Sequence, residues 1–207
     1  MKFLSYRVII NSVDFIGSYT FTRYYMFTFL KKRSYDLVHM FITQLAISIF
    51  GMALALATAA NHTTLQTCTS VFAIIFYLFL IYTKIWEIGY KDSHAFARGD
   101  AGYSRLEGLF MGLAASFINF ILAILITVGI SFPTSEICGS IGAMAKVIAL
   151  LVEGMYTGLL AIKIGGVSLN SMWFMYFIIM IPLIATSALA YYAGSKGFKV
   201  FGNVKAK

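Results

Sequence analysis

Apolar side chains run along this chain in long blocks, and crossing a bilayer as a helix takes about 20 such residues. Between Asp36 and Lys84 no residue carries a formal charge, and the polar segment Asn61-His62-Thr63-Thr64-Leu65-Gln66-Thr67-Cys68 divides the stretch. The division predicts two spans, 37–60 and 70–90, joined by a tight turn. Lys84 and Glu87 fall inside the second, close enough to its end to snorkel toward water. A further charge-free stretch between Glu107 and Glu136 predicts a span over 108–130. The last lies between Lys163 and Lys196, with its apolar centre at 172–193. Pro182, within it, removes a backbone donor and predicts a kink.

Two other segments are apolar but interrupted by charge. In the N-terminal segment 1–33, Arg7, Asn11, Asp14 and Ser18 recur at the spacing of one helix face. That pattern predicts a helix lying in the membrane interface, turning near Gly17. Segment 141–164 carries Lys146, Glu153 and Lys163. It reads as an external interfacial helix or as a re-entrant one.

Charge arbitrates between topologies, because short loops rich in Lys and Arg stay cytoplasmic. With four spans, the inner side holds Lys2, Arg7, Arg23, Lys31, Lys32, Arg33, Lys84, Lys91, Arg98, Arg105, Lys196, Lys199, Lys205 and Lys207, which is 14 of the 16 basic residues. Only Lys146 and Lys163 lie outside. With six spans the richer side keeps eight of the 16 (Lys31, Lys32, Arg33, Lys84, Lys91, Arg98, Arg105 and Lys163), which is no bias. The expected fold is therefore all-α, a polytopic transmembrane bundle of four spans with interfacial helices and six spans as the alternative. Both termini are expected to be cytoplasmic, in a plasma membrane. The whole chain, 1–207, reads as a single membrane domain.

Composition sharpens the exclusion of a water-soluble fold. Of 207 residues 60% are hydrophobic and 12% charged, against about 25% charged in an ordinary globular domain. The net charge of +8 flanks apolar runs, so its expected partner is anionic lipid on the cytoplasmic side and not nucleic acid. No leader with a cleavage site follows the basic start Met1-Lys2-Phe3-Leu4-Ser5-Tyr6-Arg7. Two cysteines make no disulfide framework, no Cys/His spacing resembles a zinc site, and no cofactor is implied.

Candidate chemistry is sparse. The segment 84–100, read as a solvated inner loop, gathers Asp92, His94 and Asp100, types that bind metals or move protons, near Lys91, Arg98 and Arg105, types that hold phosphate. No metal or hydrolase spacing accompanies them. The expected contacts with lipid or headgroups are Lys31, Lys32, Arg33, Trp86, Lys91, Arg98 and Arg105. Asn119, Lys146 and Glu153 form a candidate intramembrane polar site, since ionisable groups at membrane depth mark pathways or binding sites. Lys146 and Glu153, seven residues apart, sit about 10.5 Å apart along a helix axis, too far for an easy direct ion pair. Small residues at four-residue spacing predict close helix packing at Gly51 with Ala55, Gly108 with Gly112, and Gly154 with Gly158. Four spans bring Cys68 and Cys138 to one face, where a disulfide and two free thiols are both open outcomes.

The motif Trp86-Glu87-Ile88-Gly89-Tyr90-Lys91-Asp92, then Gly108-Leu109-Phe110-Met111-Gly112-Leu113, then Pro182 with Tyr191-Tyr192-Ala193-Gly194-Ser195-Lys196-Gly197, resembles uncharacterised small polytopic membrane proteins of Firmicutes. The resemblance covers about half of the chain. It implies a bacterial plasma membrane and brings no activity or catalytic residues.

No phosphate-binding loop, paired histidines on a helix or serine nucleophile motif is present. The expected function is a non-enzymatic integral membrane protein, a subunit or accessory that packs with other membrane subunits or with itself. The alternative is a small-solute transport component, similar to the substrate-binding subunits of energy-coupling-factor transporters. A lipid enzyme built on Asp92, His94 and Arg98 ranks third.

Overall fold

A computed structural model describes residues 2–59, 63–99, 104, 106–132 and 135–198, with side chains from residue 27 onward. Helices dominate: α1 (Lys2–Ala59), α2 (Thr63–Ala97), α3 (Glu107–Ala115), α4 (Phe117–Ser131), α5 (Glu136–Val152), α6 (Thr157–Leu160), α7 (Met175–Ile178) and α8 (Ile181–Ser195). A two-residue antiparallel pair, β1 (Lys163–Ile164) with β2 (Val167–Ser168), lies between α6 and α7. The chain forms two compact units, Met1–Val38 and His39–Lys207.

The first unit is helical from Lys2 and continues through Gly17, so the turn expected there is not formed. Within it Arg33 pairs with Asp36 at 3.7 Å, one helical turn on.

Three stretches are long and apolar enough to cross a membrane: Phe27–Thr58, Thr64–Ala97 and Met175–Ser195. Two bent pairs, Glu107–Ala115 with Phe117–Ser131 (47°) and Glu136–Val152 with Gly154–Leu160 (89°), bring the count to five if each is one span. The expected four fall within this range, and among the described residues six are not reached. Helices outrun the expected spans because a charged residue does not stop a helix. α2 was expected to leave the membrane near 90 into a loop, yet it stays helical to Ala97 and ends where Gly99 takes a φ of 81°, a left-handed conformation that suits glycine just past a C-terminus. Pro182 sits in the first turn of α8, where its missing donor costs nothing, and four residues past Ile178, where α7 ends, so it falls at the interruption of the 175–195 stretch.

The second unit buries an apolar core with a few polar side chains in it, and its exterior is apolar too. Phe72, Ile75, Phe117, Met144, Val147 and Leu189 are exposed, while Gln44, Ser48, Ser70, Asn119, Glu153 and Ser187 are buried. An apolar exterior is the arrangement that a hydrocarbon solvent selects.

Glycines sit where helices touch. A Cβ on Gly89 would strike the Tyr191 backbone, and one on Gly194 the Trp86 backbone, which locks α2 to α8. Gly108 lies against Tyr191, and Gly112 against Ile184 and Ser187, which locks α3 to α8. Gly129 and Gly142 face each other, each with a would-be Cβ within 2.6 Å of the other's Cα, and join α4 to α5. Without side chains in the way, backbones approach closely and gain dispersion contacts.

Candidate functional site: a polar cavity at the α5 bend

α4 and α5 form an antiparallel hairpin. Gly129 meets Gly142 near its closed end, and at its open end Gln44 of α1 bonds both helices. The Gln44 Nε2 donates to Asn119 Oδ1 (3.1 Å) and to the Val152 carbonyl (3.1 Å). The same carbonyl accepts from Ser48 Oγ (2.6 Å), and Tyr77 donates to Gln44 Oε1 (3.4 Å). Two of these bonds satisfy the Val152 carbonyl, one of those that a helix end otherwise leaves orphaned. They fix where the helix stops.

Beyond Val152 the chain turns by 89° and doubles back. Gly154 lies against Ser48 and Met52, Met155 against Gly51, and Gly158 against Gln66 and Ser70. The contacts thus move along α1 and α2 toward the 60–62 connection between them. The bend, at Val152–Glu153, is that of a broken or re-entrant span. Gly158 N–H donates to Ser70 Oγ (2.9 Å) and Thr157 Oγ1 to the Gly154 carbonyl (2.7 Å), holding the returning limb.

Inside the bend lies a cavity of about 430 Å³, lined among others by Lys146, Leu150, Glu153, Thr157, Asn170 and Tyr176. Glu153 is 5% exposed. Among the described residues its carboxylate makes no hydrogen bond or ion pair, and its oxygens are not sealed off, so they open onto the cavity. It also caps the C-terminus of α5, the negative end of the helix dipole. Lys146 is half-buried, two turns earlier on the same face, and it too has no polar partner among the described residues. Across the cavity the Tyr176 hydroxyl donates to the side chain and the carbonyl of Asn170. Of the polar trio expected from the sequence, Lys146 and Glu153 share the cavity, whereas Asn119 serves the Gln44 bridge.

The other expected residues lie elsewhere. Trp86 stacks on Tyr90 (5.4 Å) and Tyr90 meets His94 edge-on (4.4 Å), a ladder along one face of α2. Trp86 Nε1 donates to the Phe198 carbonyl (2.7 Å), and Lys91 pairs with Glu87 (2.5 Å) on the surface. Tyr191 donates to Asp92 Oδ2 (3.0 Å) and Glu107 Oε2 (3.1 Å), so Asp92 is engaged in holding α8 to α2 and α3. Among the described residues no three His, Cys, Asp or Glu side chains gather as a metal site. Lys31, Lys32 and Arg98 are exposed. Arg105 and Asp100 lie outside the described residues. Cys68 is exposed and Cys138 half-buried, both as free thiols, so no disulfide joins them.

Of the small-residue pairs, Gly51 packs on Met155 and Ala73, Ala55 is fully buried, and Gly108, Gly112, Gly154 and Gly158 all occupy crossings. Sequence reading missed Gln44, Ser48, Ser70, Asn170 and Tyr176. Gln44 and Ser48 stand four apart in an otherwise apolar run, one helix face, and that spacing was the available signal.

Fold and site together define an all-α helical bundle with helices apolar and long enough to cross a membrane and a cavity at the sharp bend after α5. Compared with family models, curated proteins and solved structures, the chain matches none.

Proposed function

We propose that the protein is a non-enzymatic membrane component that holds a small polar solute in the cavity at the α5 bend, as the binding part of a transport system. The observation that carries this reading is Glu153, a buried carboxylate with no partner among the described residues, lining a void at the 89° bend after α5. Such a group is costly in its charged form in an apolar setting, and a ligand of opposite charge would remove that cost. The accessory-subunit reading draws only on exposed apolar faces, which lipid covers equally well. Mild detergent extraction followed by native mass spectrometry tests the proposal. Wild-type protein is expected to carry a small non-lipid mass that Ala161→Trp, which fills the cavity, no longer carries. A wild type that retains only lipid under gentle activation would end the transport reading.

The charge distribution supports a plasma-membrane orientation in which α1, α2, the α3–α4 pair and the 175–195 stretch cross, while α5–α6 enters and returns. An even number of crossings puts both termini in the cytoplasm, with the exposed side chains of Lys31, Lys32 and Arg98 near anionic headgroups. Impermeant maleimide applied to intact cells, in a background lacking Cys68 and Cys138, is expected to label Ser168→Cys and to spare Ser195→Cys. The reverse pattern rejects the orientation.

A further inference from the structure

We infer that the solute is a zwitterion, whose ammonium end meets Glu153 and whose carboxylate end meets Lys146. The inference rests on reading the cavity as a solute site and adds the charge pattern of what fills it. Lys146 and Glu153 line one void from the same face of α5, two turns and about 10.5 Å of axial rise apart. Neither closes on the other, and among the described residues neither has a partner. A simple cation would satisfy Glu153 but meet the like charge of Lys146 in the same cavity, and a simple anion would meet the converse penalty. A molecule carrying both charges at its two ends satisfies both groups at once. The rest of the lining suits its middle: Leu150 and Ala149 offer apolar wall, and Thr157, Asn170 and the Tyr176 hydroxyl offer hydrogen bonds. Glu153 lies at the buried end of the void, whereas Ser168 and the exposed Asn170 belong to the segment beside the β-hairpin.

Isothermal titration of the purified full chain in detergent tests this with glycine, 4-aminobutyrate and 6-aminohexanoate, each set against the amine and the carboxylate of matching length. At least one amino acid of the series is expected to bind about tenfold or more tightly than both its singly charged counterparts. Glu153→Gln is expected to abolish that advantage while sparing the carboxylate probe. Lys146→Met, a change of a half-buried side chain, is expected to abolish it while improving the amine. Equal affinity for amine and amino acid, or an amino-acid affinity untouched by Lys146→Met, overturns the inference. If no probe binds but a neutral solute co-purifies, the zwitterion is rejected and the cavity reading stands. Loss of both rejects the two together.

Discussion

Replacing Gly194 by valine is expected to cost the protein its folded state in detergent, with a loss of about 3 kcal/mol or more, the upper end of overpacking penalties. A Cβ there lands on the carbonyl of Trp86, with the Trp86 Cα only 3.1 Å away. Neither atom is the end of a flexible side chain, so the helices must part. Parting them also strains the reciprocal contact of Gly89 with the Tyr191 backbone and the bonds from Tyr191 to Asp92 and Glu107. Gly139→Val is the matched control, because nothing lies within 4 Å of its would-be Cβ. Size-exclusion profile and thermal unfolding decide the matter. Wild-type behaviour of Gly194→Val would mean that α2 and α8 do not pack as described.

The second large effect is expected at Gln44. Its carboxamide joins Asn119 of α4, the end of α5 and Tyr77 of α2. Gln44→Leu keeps roughly the shape but leaves the Asn119 oxygen and the Tyr77 hydroxyl in an apolar interior, at a cost of about 2 kcal/mol. Polar contacts in membranes average less than this, since other partners are found on unfolding. The double variant Gln44→Leu with Asn119→Leu is therefore expected to lose less than the sum of the singles, by about 1 kcal/mol. Strict additivity in thermal unfolding would show that the bridge is not formed. Because the bridge fixes where α5 ends, Gln44→Leu is also expected to weaken solute binding without touching the cavity.

Charge-free stretches made the membrane class and four span positions legible, because hydrocarbon tolerates few charges and the chain must gather its apolar residues in blocks. Helix ends were harder. α2 outlasts its apolar block by most of two turns, since Lys91, Asp92 and His94 are tolerable helix residues and the first true stop is Gly99. The bend at Glu153 was legible only as an ambiguity. Lys146 and Glu153 weighed against a straight span and the apolar remainder weighed for one, and the chain bends by 89° at that point. Four-residue spacing exposed Gly108 with Gly112 and Gly154 with Gly158. It could not expose Gly89, Gly194, Gly129 or Gly142, whose partners sit on helices distant in sequence. The cavity was half visible for the same reason. Its charges stand on one helix at readable spacing, while Asn170 and Tyr176 arrive from beyond the hairpin.

That hairpin turns through Gly165 and Gly166, both with positive φ (60° and 85°) and neither with any atom within 4 Å of a would-be Cβ. A turn that nothing leans on is a natural splice point, where foreign sequence enters without disturbing the backbone around it. A rigid epitope grafted between the two glycines would give this small, featureless bundle a handle for particle alignment in electron microscopy. Close to Ser168, which lines the cavity, the same graft would double as a reporter of whether the cavity is occupied.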